Sequence, residues 1–223
     1  MTAEKNDTGT PSTARGAHTP DADVSLVAGH PVLDFANTVA WRTDPTRRAE
    51  RVTGAEAWAR WAVAAGLLTP EQSTELHGTL AAAGPGETER QLTALRGLRA
   101  LLWPVLDRLT DGGPPPPEQW DGLRGAILLA RRNAELPPEF PLRWQPGTGQ
   151  LTDLGDALAL QAEALLGGPS LTRIRRCEGP GCGWFFLDRS RGGTRRWCSS
   201  GDCGNRDRAR RHYARTKRPT PPR

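Results

Sequence analysis

Apolar residues recur every three or four positions through most of residues 24–168. Between 55 and 63 the repeating positions are Ala55, Trp58, Ala59, Ala62 and Val63, and the longest run lies at 87–110. This spacing matches the 3.6-residue period of an α-helix, so it predicts amphipathic helices that each bury one face. Similar stripes lie at 30–41, 120–130 and 152–166, and together these stripes predict a helical body.

Residues that favour helix starts precede several of these stripes. Thr53 with Glu56 predicts one capping box, and Thr69 with Gln72 predicts a second, supported by Pro70 at the first helical position. Thr152 is expected to cap the last helix of the body, which would run to Leu166.

Composition divides the chain near Gly167-Gly168-Pro169. Residues 1–23 are small and polar and show no period, so they predict a disordered tail. The helical domain then occupies 24–168, a small module occupies 169–216, and 217–223 form a second tail. The start lacks the apolar run of a signal peptide, and no stretch approaches the ~20 apolar residues of a membrane helix. The sequence therefore predicts a cytoplasmic protein without membrane contact.

The formal net charge of +5 hides a strong asymmetry. Residues 169–223 hold fifteen Lys and Arg against four Asp and Glu, whereas residues 1–168 hold fifteen against twenty-one. An acidic body is thus joined to a module with a net charge of +11. A basic module of this kind favours a polyanionic partner.

All four cysteines lie in the basic module, at Cys177, Cys182, Cys198 and Cys203. Two close pairs separated by a loop are typical of a chain that surrounds one tetrahedral zinc ion. Four protein ligands leave no position for water, so the site would be structural. A disulfide pair, disfavoured in a reducing compartment, and an iron centre are the alternatives.

The segments around the cysteines predict a small α+β fold. Trp184–Leu187, a turn at Gly192-Gly193 and Trp197 are interpreted as a β-hairpin between the two pairs, and a helix begins near Gly204. The order is that of a treble-clef-like finger. The predicted fold is therefore mainly α, with a helical N-terminal domain followed by this finger. Its aromatic residues would form the finger's core or, alternatively, stack on single-stranded bases.

The finger resembles the CGNR zinc-finger proteins. The residues that carry the resemblance are Cys203-Gly204-Asn205-Arg206, Cys177, Cys182–Asp188 and Arg196-Trp197-Cys198. The body, with its run Leu33–Thr38, resembles the ABATE-type domain that precedes this finger in bacterial proteins. The resemblance spans about 24–216 and implies a stress-linked transcription regulator whose finger binds zinc and contacts nucleic acid.

The segment after Cys203 predicts a basic helix. We expect nucleic acid, DNA in preference to RNA, to be bound by Arg206, Arg208, Arg210, Arg211, Arg215 and Lys217. Ala209, His212 and Tyr213 form the least charged strip and are expected to pack on the hairpin. A solvated basic tail is the alternative, although mutual repulsion among so many charges disfavours it.

These features predict a zinc-dependent nucleic-acid-binding protein, a transcription regulator, and not an enzyme. The body would be a sensor of a small-molecule effector or a dimerisation module. Asp34, Asn37 and Thr38 are candidates for lining its ligand pocket, the alternative being a buried hydrogen-bond network that fixes helix packing. The alternative function is an RNA-binding or protein-docking finger without a direct role in transcription.

Overall fold

The computed structural model describes residues 26–216 of the chain. The predicted tails at 1–23 and 217–223, with Lys217, lie outside the described residues. The described part is mainly helical, which confirms the predicted fold class. Its seven α-helices are α1 (Pro31–Ala36), α2 (Gly54–Ala64), α3 (Pro70–Ala83), α4 (Pro85–Thr110), α5 (Pro117–Asn133), α6 (Leu151–Gly167) and α7 (Cys203–Thr216).

Two short antiparallel strand pairs accompany the helices. Strands β1 (Val39–Ala40) and β2 (Ala49–Glu50) pair within the body. Strands β3 (Ile174–Arg176) and β4 (Phe185–Leu187) pair within the C-terminal module, with Ile174 opposite Leu187 and Arg176 opposite Phe185.

Helix α1 lies at the centre of the molecule. It packs against α4, α6 and β4, and every residue from Val32 to Ala36 is buried. Its Phe35 ring lies 5.5 Å from the Trp58 ring and 6.1 Å from the Trp61 ring of α2, measured between centroids. A helix buried on all sides places its polar residues inside the core, where each needs a partner.

The helix starts agree with the sequence in part. Thr69 forms the predicted capping box, since Gln72 N donates to its Oγ1 and its own N donates to Gln72 Oε1. Thr53 stands at the N-cap of α2, but its side chain makes no capping bond, so that box is wrong. Helix α6 begins at Leu151, two residues earlier than predicted, with Gln150 and Asp153 at the capping positions instead of Thr152.

One hydrophobic core runs from the helical body into the C-terminal module. Buried residues of α1, α2 and α4 belong to the same cluster as Trp184, Phe185, Phe186 and the four cysteines. The backbone contributes as well, because Leu187 N donates to Ala28 O at 2.8 Å. The two halves that composition separates therefore share their interior.

Candidate metal centre and nucleic-acid interface

The four cysteines converge on one point between β3, β4 and α7. Cys177 follows β3, Cys182 precedes β4, and Cys203 opens α7, with all four cysteines buried. Their Sγ atoms lie within 4.8 Å of one another. Neighbouring sulfurs are 3.7 Å apart for Cys182 and Cys198 and 3.6 Å apart for Cys198 and Cys203. Zinc–sulfur bonds of about 2.3 Å in a tetrahedron place the sulfurs roughly 3.8 Å apart, so the site fits zinc.

The polar surroundings of the sulfurs also fit a thiolate-bound cation. Two backbone amides, Gly179 N and Cys198 N, donate to Cys177 Sγ at 3.4 and 3.3 Å. The Arg206 guanidinium donates to Cys203 Sγ at 2.8 Å. A Cβ at Gly179 would lie 2.8 Å from Cys203 Sγ, so this position of the first cysteine turn requires glycine.

The sulfurs are close enough to change one another's protonation. Hydrogen bonds from the sulfurs of Cys182, Cys198 and Cys203 lower the pKa of Cys177. The hydrogen bond with Cys177 is also the main reason that the pKa of Cys198 is raised. Thiolates that face one another repel, and a divalent cation between them removes that repulsion. The centre holds one structural zinc ion, bound by the four cysteines.

The strand arrangement corrects the predicted finger. Strand β4 pairs with β3, which precedes the first cysteine, and not with the segment near Trp197. The first cysteine pair therefore occupies the turn of the hairpin, and Cys177 N donates to Trp184 O at 2.7 Å to extend the pairing. Residues 188–197 form a loop in which the Asp188 carboxylate accepts from Ser190 N and Arg195 N.

The aromatic residues of the finger are buried. Phe185 and Phe186 are fully enclosed, and Trp184 is 5% exposed. The indole Nε1 of Trp184 donates to Val39 O of the body at 2.7 Å. These three rings are core residues, which was the first of the two interpretations of the sequence. Their burial leaves no ring face for stacking on a base.

Salt bridges join the finger to α4. Asp107 of α4 accepts two bonds from Arg42, both at 2.7 Å, and a third from Arg176 at 2.9 Å. Burial raises the pKa of Asp107, but the bonds from these two arginines outweigh it, and the pKa lies below its usual range. Arg42 Nε also donates to Gly183 O beside Cys182. Sequence reasoning missed this network, because nothing local marks carboxylates and arginines that meet across the fold.

Asp34, Asn37 and Thr38 are all buried on or beside α1. Asp34 Oδ1 accepts from Ala28 N at 2.9 Å, and Thr38 Oγ1 accepts from Arg99 at 2.6 Å. The amide of Asn37 bonds both the N and the O of Phe185, at 2.9 and 2.8 Å. Each of these side chains thus forms hydrogen bonds inside the protein, a geometry that favours the packing network over a ligand pocket.

Helix α7 projects from the finger. Only Cys203 and Gly204 of its residues are buried, and Tyr213 is 67% exposed. Ala209 and His212 are exposed as well, so the prediction that this strip packs on the hairpin is wrong. At about 1.5 Å per residue the helix is about 21 Å long. Most of that length meets solvent on every side.

The basic residues of α7 fall into two groups. Arg206 lies against the metal centre, paired with Asp202 and placed over the Trp41 ring at 4.4 Å. Arg210 and Arg211 both pair with Asp207 of the same helix. Arg208 bonds only Ser200 O and Asn205 Oδ1, and Arg215 is exposed. Among residues 26–216, neither Arg208 nor Arg215 has a carboxylate within salt-bridge distance.

Trp41 is a site residue that sequence reasoning missed. Its φ of 52° lies in the left-handed region, which is uncommon for a bulky residue. Arg47 lies 3.7 Å from its ring centroid and Arg206 lies 4.4 Å from it. The indole therefore joins a loop of the body to the first turn of α7.

Within residues 26–216, none of the helices combines the length and apolar character that a membrane span requires.

Two family models match the chain. One, described as "Putative stress-induced transcription regulator" (ABATE), matches residues 29–169, and the CGNR zinc finger matches residues 173–216. Their order along the chain is the expected one, and neither description names an enzymatic activity. No curated protein matches the chain. Because the ABATE match covers more than half of the sequence, the chain belongs to the ABATE family, and it carries a CGNR zinc finger after that domain.

Proposed function

We propose that this chain is a zinc-dependent transcription regulator that binds duplex DNA through α7. The observation that carries the proposal is the projecting, arginine-rich helix whose first residue is a zinc ligand. The metal fixes where the helix begins and how it leaves the finger. Its remaining residues are then available to an external partner.

The energetics of α7 favour an anionic partner. A helix of 14 residues without a packed face is marginal in water, and clustered positive charges weaken it further. Arg208, Arg211 and Arg215 follow one another at spacings of three and four, so they share one face of the helix. Phosphate groups along that face would relieve the repulsion and satisfy the guanidinium donors.

A duplex suits this surface better than a single strand. Recognition of single strands relies on aromatic platforms, and the rings of Trp184, Phe185 and Phe186 are buried. A projecting helix of about 21 Å can instead enter the major groove, as recognition helices do. Asn205 and the arginines supply the side chains that read base edges there.

Two features of the body support a sensing or dimerising role. A cavity of about 400 Å³ between α4, α5 and α6 is lined by Leu95, Leu98 and Leu129, with Asp156 among its polar residues. Leu128 and Leu129 of α5 are about half exposed. Light scattering across protein concentrations distinguishes the two roles, because a dimerising face gives a mass that rises with concentration.

Binding of the zinc-loaded full chain to labelled oligonucleotides of equal length tests the proposal. We expect duplex DNA to bind more tightly than single-stranded DNA or RNA. Arg208→Ala with Arg215→Ala should weaken duplex binding by about tenfold or more near 0.1 M salt. Arg60→Ala with Arg90→Ala is the matched control, since both residues are exposed body arginines. Preference for single-stranded RNA would support the RNA alternative, and no binding to any oligonucleotide would leave the protein-docking alternative.

A further inference from the structure

Two arginines of the body, Arg47 and Arg51, lie beside the metal centre, and Arg48 of the same segment lies over the Trp103 ring of α4 at 4.8 Å. Arg47 and Arg48 are exposed, and Arg51 is half-buried. Arg51 lies 5.0 Å from the Trp184 ring centroid and is attracted electrostatically by Asp202 and Cys198. The segment 47–51 thus runs along the finger although it is about 150 residues earlier in the chain.

The first cysteine turn holds this part of the body in place. Arg42 N donates to Cys182 O at 3.1 Å, and Thr43 N donates to Gly181 O at 3.3 Å. Gly181 and Gly183 both have positive φ, and a Cβ at Gly181 would lie 2.9 Å from Arg47 Nη2. The position of Arg47 is therefore fixed relative to the zinc ligands.

Trp41 places the same segment next to α7. The guanidinium groups of Arg47 and Arg206 both lie over its ring. The junction is tightly packed, because the cavity among Trp41, Trp184 and Arg206 measures only about 10 Å³. A left-handed tryptophan persists only where the surroundings hold it, so this contact is a fixed feature of the fold.

The charges of the segment are only partly offset within the protein. Arg47 pairs with Asp44, an exposed contact of little energetic weight. Among residues 26–216 Arg48 forms no salt bridge, whereas Asp202 offsets part of the charge of Arg51. Phosphate oxygens would supply further partners for these guanidinium groups.

We infer that segment 47–51 is the second half of the DNA-binding surface, in which Arg47, Arg48 and Arg51 contact phosphates of the duplex that α7 engages. This inference rests on the proposed function. It assigns a binding role to the ABATE part of the chain, in which the zinc centre holds the two basic elements side by side.

A salt titration of duplex DNA binding tests the inference with the zinc-loaded full chain. Arg47→Ala with Arg48→Ala should weaken binding by about tenfold or more at 0.1 M salt and flatten the slope of log affinity against log salt by roughly 1–2. Arg47→Lys with Arg48→Lys keeps both charges and should retain most of the slope. Arg60→Ala with Arg90→Ala removes the same number of exposed arginines from other helices of the body and should change neither quantity.

The outcomes separate the inference from the proposed function. If the wild type binds duplex DNA and the Arg47/Arg48 alanine variant, folded and with one zinc, matches the Arg60/Arg90 control, the inference is wrong while the proposed function stands. If the wild type binds no duplex, the proposed function fails and the inference fails with it.

Discussion

The side-chain amide of Asn37 forms a two-bond pair with the backbone of Phe185. Its Nδ2 donates to Phe185 O at 2.8 Å, and its Oδ1 accepts from Phe185 N at 2.9 Å. Both residues are buried, one beside the central helix of the body and the other in β4 next to the metal centre. A side chain of the body therefore completes the hydrogen bonding of a strand in the finger.

Replacing Asn37 by alanine should destabilise the whole chain. The substitution leaves two backbone groups of Phe185 buried without partners, a loss of about 2–4 kcal/mol in the free energy of unfolding. Urea denaturation followed by circular dichroism measures it. Asn133→Ala, which removes an exposed bond to Asp156, is the control and should cost well under 1 kcal/mol. Equal losses in the two variants would contradict the bridging role of Asn37.

A chain that ends at Gly168 should be less stable than the full chain. Truncation exposes the faces of α1 and α4 that the finger covers. We expect a broad thermal transition at a lower temperature than that of the full chain. A chain that ends at Ala209 keeps the shared core. Its melting temperature should equal that of the full chain, because the rest of α7 is exposed. A truncation at Gly168 that melts as sharply and at the same temperature would show that the body is independent.

The burial of Asp34 predicts a specific pH dependence of stability. Burial raises the pKa of Asp34 from 3.8 to about 6, against bonds from Ala28 N and Val27 N that lower it. The folded state therefore holds this proton more tightly than the unfolded chain. Its stabilising effect is complete below pH 4 and is lost as the pH rises through about 6, a change of about 2–3 kcal/mol.

The comparison of wild type with Asp34→Asn isolates this effect. Burial lowers the pKa of His30, which opposes the trend, but His30 titrates in both proteins and cancels in the difference. Unfolding free energies at pH 4.5, 6 and 7.5 should show the wild type gaining on the variant as the pH falls. A difference that stays constant over this range would mean that Asp34 keeps an ordinary pKa.

The sequence predicts the features that are local in the chain. Helical periodicity, the close pairs of cysteines and the clustered charges after Cys203 are each visible within a few residues. The structure has helices, a cysteine cluster and the basic helix α7 in those regions. The pairing of β3 with β4 was missed, because Ile174–Arg176 is three residues long and mostly charged. The contacts of Asn37, Trp41 and Arg42 with the finger were missed for a different reason. Their partners are more than 140 residues away, and no period or spacing in one sequence reports such a contact.

Loss of zinc should unfold more than the finger. Cys198→Ser removes a ligand from a centre that lies in the same buried cluster as Phe185, Phe186 and the helices of the body. We expect no bound zinc and a melting temperature lower by at least about 10 °C for the entire helical signal. Ser199→Ala, at the next position, should retain one zinc per chain and the wild-type transition. A variant without zinc that melts like the wild type would contradict the shared core.

The central claim is that zinc holds α7 so that its arginines meet DNA phosphates as a fixed array. The most direct test is the salt dependence of duplex DNA binding by the full chain, measured with zinc bound and after removal of the metal by a chelator. For four or five phosphate contacts, the zinc form should give a slope of log affinity against log salt near −4. The metal-free chain, which keeps every arginine, should lose most of its affinity and show a clearly shallower slope. Equal affinity and equal slope in the two forms would mean that α7 acts as a basic tail, and the account of the cysteines would be wrong.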